Sequence, residues 1–228
     1  MPFKGSAFMV MWHDIAAEGE AEYHLWHTRE HMPERLSIPG FLRGRRGVNW
    51  GLDRQRYLTI YEGEDLEVLR SPGYLERLNN PSSWTQRMMP HFRNFLRVSC
   101  ETVSTGGLGA GGAVATFRGD FGVGMTENLF RQNAPGLAER LSERAGVSAV
   151  HTAVARPEVS DVRTTENEIR RPMREKRFQA IVVVEAVGLT ELNALMAELT
   201  REVEALGLTE VEGHAYDVAF LLGRDGGS

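Results

Sequence analysis

At 228 residues, with 42% hydrophobic and 25% charged side chains, the chain can bury one large core or two smaller ones. A net charge of −5 and a pI near 5.8 exclude a general nucleic-acid binder, which would present a basic face. The single cysteine, Cys100, excludes an intrachain disulfide framework, and no apolar run approaches the roughly 20 residues of a membrane span, so a cytoplasmic protein is expected.

The run SAFMVMWHD (6–14) predicts a first strand, not a signal peptide, because no small-residue cleavage site follows it. Residues 20–36 predict a helix closed by Pro39-Gly40. FLRGRRGVNW and RYLTIYEG predict two strands around a turn at 51–53. Residues 65–95 predict helical segments interrupted at Pro72 and Pro81, and LRVSCETV predicts a further strand. Five glycines then fall within seven positions, 106–112, a composition that suits neither helix nor strand interior and reads as a linker. It divides the chain into 1–105 and 113–228. Beyond it, AVATFRG, SAVHTAVAR, RFQAIVVVEA and HAYDVAFLL predict strands, with a helix over 126–145. Leu192, Leu195, Met196, Leu199, Val203 and Leu206 form the apolar stripe of a helix over 189–206, with Thr190 as its cap. Both halves spell βαββαβ, so the expected class is α+β: two ferredoxin-like units, each with helices on one face of an antiparallel sheet.

Strand parity separates Leu42, Val48, Leu58, Ile60, Val98 and Cys100 from Arg43, Arg45, Tyr57, Thr59, Tyr61, Ser99 and Glu101. The apolar set is expected beneath the helices. The polar and aromatic set is expected to face a second sheet across a partly polar interior, to which His151, Gln179, Glu185 and Asp217 would contribute.

Three of seven histidines, His24, His27 and His31, lie within eight residues on the first helix. At about 100° per residue they share one stripe, flanking a side made of Ala21, Leu25, Met32 and Leu36 that is expected against the sheet. Imidazole suits proton transfer near neutral pH, and His27 and His31 at i, i+4 could also chelate a divalent ion. HTREH formally matches a zinc-peptidase pattern with Glu30 as base, a weak signal at five residues. A solvated flank of incidental histidines is the competing reading.

Tyr23, Trp26-His27, Glu30-His31, Pro33-Glu34-Arg35, Ile38-Pro39-Gly40-Phe41 and Arg45-Arg46 together resemble EthD-like proteins of the dimeric α+β barrel superfamily, over residues 8–62. The resemblance implies that the two halves pack sheet to sheet as an intrachain barrel. It also implies a cavity faced by a helix histidine, with His31, before Met-Pro, the first choice. The candidate catalytic residues are therefore His31, His27 and His24. Trp26, Arg45, Tyr61, Tyr57 and His13 are the candidates for holding substrate. The expected activity is a cofactor-independent lyase, isomerase, cyclase or monooxygenase acting on a small aromatic or carbonyl-containing metabolite. A non-catalytic small-molecule or haem-binding protein is the alternative. No cofactor is expected, with haem or a divalent metal as lesser alternatives. The expected partner is a small-molecule ligand, with a homodimer of the chain compatible and neither nucleic acid nor membrane involved.

The second half carries Asn133 where a helix histidine would fall, which argues against a second equivalent site. Residues 158–176 are highly charged without apolar periodicity and read as a flexible loop, lid or oligomer contact. Cys100 alternates onto the apolar face and reads as core.

Overall fold

The computed structural model describes residues 2–170 and 175–224. Its first half runs β1 (Ala7–Ile15), α1 (Glu20–Trp26), α2 (Met32–Ser37), β2 (Phe41–Val48), β3 (Tyr57–Gly63), α3 (Pro72–Asn79), α4 (Ser83–Met88) and β4 (Phe92–Gly107). The second runs β5 (Ala113–Phe121), α5 (Glu127–Ser142), β6 (Val147–Ala155), α6 (Pro157–Ser160), α7 (Thr165–Arg170), β7 (Ala180–Ala186), α8 (Leu189–Ala205) and β8 (Leu208–Gly223).

Alternating apolar residues make the strands, and their ladders join into one closed antiparallel barrel in the order β1-β3-β2-β8-β5-β7-β6-β4. Closure removes the free edges that two separate sheets would expose. Two 16-residue strands make the seams. β4 pairs with β1 and then, from Cys100 to Gly107, with β6; β8 pairs with β5 and then, from Asp217 to Gly223, with β2. Gly106 and Gly107 thus belong to a strand, and the connection between halves is confined to 108–112.

On β3 and β4 the strand faces are the reverse of the expectation, while on β2 they follow it, with Val48 in the helix-side core. Leu58, Ile60, Val98 and Cys100 fill the barrel interior with Phe8, Val10, Trp12, Ile181 and Val183. Tyr57 and Tyr61 lie on the outer face, beneath the first half's helices, in one core with Tyr23, Trp26 and Met32. Arg43 and Arg45 do reach the interior with Glu185 and His151, whereas Gln179 and Asp217 are exposed. In the second half the outer face packs under α5 and α8 through Ala115, Phe117, Val182, Leu137 and Leu199. Gly188 occupies the cap position of α8 with no side-chain cap bond, so Thr190 does not cap it.

The first helix also turns a different side to the sheet. Ala21 and Leu25 are exposed, while Tyr23, Trp26, His27, His31, Met32 and Arg35 are buried. Between α1 and α2 the residues His27–His31 form a π turn, closed by the Met32 amide donating to the His27 carbonyl. Pro33 follows at once; it has no N–H to donate to the carbonyl four residues back, and its ring crowds that carbonyl, so a wider turn is the local solution. The helix then passes close over β2. A Cβ at Gly44 would stand 3.0 Å from both the Met32 sulfur and the Tyr61 ring.

Candidate active site beneath the histidine helix

Beneath the π turn lies a small cavity of about 20 Å³, walled by Met11, His13, Trp26, His27, His31, Arg35, Thr59, Tyr61 and Tyr74, with Met89, Phe92, Phe95 and Arg97. Glu166 and Arg170, from α7 of the second half, complete the wall. The strands β1 and β3 supply its floor, the π turn its roof and the segment after α4 its side. A space this size holds about one water-sized molecule.

His31 and His27 sit 5.6 Å apart, ring centre to ring centre, and Trp26 covers His31 at 4.3 Å. Trp26 is held in place by its indole N–H, which donates to Thr85 Oγ1 at 3.2 Å. Both imidazoles are buried, and in each the Nδ1 atom has no hydrogen-bond partner. The same holds for Tyr61 Oη and Thr59 Oγ1. With His13 Nδ1, five unpartnered polar atoms thus belong to the walls of one cavity, in a protein interior where such atoms are ordinarily paired.

Electrostatics fixes their protonation. Burial, then the positive charge of Arg46, pushes the His27 pKa well below its ordinary value; for His31 burial and Arg35 do the same. Burial holds His13 at about 3 despite Asp14 beside it. The three imidazoles are therefore neutral at pH 7. Burial raises the Tyr61 phenol well above its ordinary range, so it remains an O–H donor. Arg35 Nη2 bonds Glu166 Oε2 at 2.5 Å with side chains only 3% and 5% exposed. That ion pair pins α7, which also packs on α3, over the cavity.

The structure brings together His31, His27, His13, Trp26 and Tyr61, and separates the remaining candidates from them. His24 lies off the cavity, half-exposed, its Nε2 3.2 Å from Tyr57 Oη; that phenol also donates to Glu20 at 2.8 Å. Tyr57 is thus a strut for the helix N-terminus. Arg45 is on the other side of the sheet, inside the barrel. There Nη2 meets Glu62 Oε1 at 2.7 Å and Nη1 meets Glu185 Oε2 at 2.6 Å, and Glu185 Oε1 in turn bonds His151 Nε2 at 3.1 Å. The bulge and register of β2 put Arg46, not Arg45, on the helix side, where it bonds Thr28 and covers Tyr23. Glu30 accepts bonds from Ser82 and Thr85 and is absent from the cavity wall, so the peptidase pattern is not assembled.

Arg35, Arg97, Glu166 and Arg170 escaped sequence reasoning. Arg35 was legible as a buried helix residue only once the π turn was known, and α7 arrives from over 100 residues away. Residues 158–176 form two short helices docked on the first half as far as Arg170; 171–174 lie outside the described residues. In the second half the buried side of α5 is apolar (Phe130, Ala134, Leu137, Ala138, Leu141) and Asn133 is exposed, so no counterpart of the histidine cluster exists there.

Among the described residues no group of three or more His, Cys, Asp and Glu is placed to hold a metal ion. Among the described helices none is long and apolar enough to cross a membrane.

A closed antiparallel barrel made of two βαββαβ halves, with helices outside, is the dimeric α+β barrel fold built within one chain. Solved structures share it. An anthrone oxidase-like protein is 11% identical, with 95% of this chain and 92% of that chain covered and a TM-score of 0.64. A candidate monooxygenase from Fusobacterium nucleatum subsp. nucleatum is 11% identical, covers 98% and 97%, and gives 0.59. A mutant chlorite dismutase from Candidatus Nitrospira defluvii, in complex with cyanide, is 10% identical, covers 95% and 92%, and gives 0.57. No family model and no curated relative matches the chain.

Proposed function

We propose that the chain is a cofactor-independent enzyme that moves a proton on a small aromatic or carbonyl-containing metabolite, with His31 as the principal base and His27 assisting. The observation that carries this reading is the set of unpartnered atoms, His27 Nδ1, His31 Nδ1, Tyr61 Oη and Thr59 Oγ1, around one enclosed cavity. Each buried polar atom left without a partner costs about 1–3 kcal/mol, a cost that a bound ligand would remove. A merely packed helix would place apolar groups there, as α5 does.

In the first step a C–H proton beside the carbonyl passes to neutral His31, and the electron pair of that bond becomes an enolate. The Tyr61 hydroxyl and the Arg35 guanidinium stabilise the oxyanion in a water-poor site, where such interactions are strongest. Return of the same proton to a different carbon completes an isomerisation that balances without a co-reactant. Resemblance of residues 8–62 to EthD-like proteins supports this reading, as do the names of the structural neighbours, which include monooxygenases and an anthrone oxidase-like protein.

The test uses anthrone, an aromatic ketone with acidic C–H bonds, in deuterated buffer under nitrogen. Proton NMR should show exchange accelerated over buffer and reduced by about 10²–10⁴-fold in His31→Ala. Exchange at the buffer rate, or exchange that persists in both His31→Ala and His27→Ala, would sink the proposal.

A further inference from the structure

A second, larger cavity of about 330 Å³ opens beside the first, lined by Leu96, Ser160, Asp161, Val162, Arg163 and Arg177 among others. Phe95, Arg97 and Arg170 belong to the walls of both, so they form the neck between the histidine cavity and the outside. The charges around the two cavities do not balance. Five guanidinium groups (Arg35, Arg97, Arg163, Arg170 and Arg177) face three carboxylates (Asp161, Glu166 and Glu175).

Most of these charges are already committed. Arg35 holds Glu166 at 2.5 Å, Arg177 pairs with Asp161, Glu175 with Arg54, and Arg163 with Glu168. Arg97 has no carboxylate partner among the described residues; its guanidinium donates to the Ser160 carbonyl at 3.0 Å. Arg170, 8% exposed, has Glu166 only at 3.7 Å, and Glu166 is the carboxylate already taken by Arg35. The Arg170 guanidinium carbon lies 3.8 Å from the Phe95 ring centre, beside the neck. Burial, then the positive charge of Arg97, lowers the Arg170 pKa, with Glu166 acting against them.

Two guanidinium groups with too little countercharge, at the constriction leading to a neutral base, form a receptor for an anion. Arginine matches a carboxylate by paired N–H donors, and the aromatic wall of Phe95, Phe92 and Trp26 suits a flat apolar body. We propose that the ligand is an organic carboxylate: its carboxylate binds Arg97 and Arg170 in the neck, and its unsaturated or aromatic end points toward His31. This rests on the reading of the histidine cavity as a site for a small metabolite, and adds the charge of that metabolite and the residues that select it.

The test is calorimetric titration with cinnamate and its neutral isostere cinnamamide at low ionic strength. Cinnamate should bind at least about tenfold more tightly, because the amide forgoes one charge-assisted hydrogen bond to a guanidinium. Arg97→Gln should abolish that preference, chiefly by weakening cinnamate, and Arg97→Lys should keep part of it. Equal affinities in the wild-type chain overturn the proposal without recourse to any variant. So does a preference that survives both Arg97→Gln and Arg170→Gln, or no saturable binding of either probe up to about 10 mM. The two readings separate cleanly. Charge discrimination without proton exchange supports the anion site and removes the acid–base role of His31; exchange without discrimination does the reverse.

Discussion

Residue by residue, the site is defined by groups held away from their comfortable states. Tyr61 shows this most simply. Its hydroxyl is buried with no partner, so removing it relieves a penalty of about 1–3 kcal/mol. Tyr61→Phe should therefore leave stability unchanged or raise it, while cutting proton exchange on anthrone; a marked fall in urea midpoint would show that the hydroxyl is satisfied after all. The histidines make a second prediction. Folding depresses the pKa of His13, His27 and His31, so the unfolded chain takes up protons from pH 6.5 downward before the folded chain does. Their contribution to stability is thus complete above pH 6.5 and is lost as pH falls, by up to about 1.4 kcal/mol per pH unit for each group. For His13 the loss continues to about pH 3. Glu185 acts in a lower window: burial pushes it up, but His151 and Arg45 together hold it at about 2, so its contribution falls only below its ordinary 4.5. Urea midpoints should drop steadily between pH 6.5 and 5, and less steeply in His31→Gln. A level profile over that range contradicts buried neutral imidazoles.

At the scale of elements, two features build the cavity: a helix with a π turn, and a short helix from the far half. Placing His27 and His31 against the sheet instead of beside it depends on the turn that Pro33 favours. Full burial of Tyr23 and Trp26 on the same side supplies the packing free energy, roughly 1.5–3 kcal/mol for each side chain of that kind. α7 is short and held largely by Arg35–Glu166 and by the Thr165 amide donating to Asn79 at 3.3 Å. Glu166→Gln leaves Arg35 buried without its main countercharge, a loss of about 3–5 kcal/mol for a buried pair. Because Arg35–Glu166 is the ion pair that ties the segment to the helix roof, the expected result is local undocking. Limited proteolysis should cut between residues 157 and 170 in the variant well before the wild-type chain, with the barrel intact. Equal resistance would show that packing, not the ion pair, holds α7.

For the whole molecule, the barrel makes the two halves one cooperative unit. Both seams are continuous ladders, and inside them Arg45 and Glu62 of the first half meet Glu185 and His151 of the second. The N-terminal segment caps this network: Phe3 stacks on His151 at 3.8 Å and the Lys4 amide donates to Glu62 at 2.9 Å. Glu185→Gln removes one of Arg45's two carboxylates in a fully buried setting. We expect a loss of about 3–5 kcal/mol and a single melting transition, because neither sheet can close without the other. Two separate transitions in calorimetry would mean that the halves fold independently.

The element order, the ferredoxin-like halves and the histidines of one helix were all legible in the sequence, because periodicity and local chemistry report them directly. Interior His151 and Glu185 were legible too, as polar residues on strands otherwise apolar. Tertiary structure alone decided which face of β3 and β4 turns inward, since both faces are buried, one inside the barrel and one beneath the helices, and alternation does not say which is which. It alone took Arg45 out of the site, because a bulge in β2 and the register with β3 choose between neighbouring arginines. And it alone brought Glu166 and Arg170 over His31: interactions across so long a stretch of chain, 131 positions for Arg35 and Glu166, leave no periodic trace, and exist only once the barrel has closed.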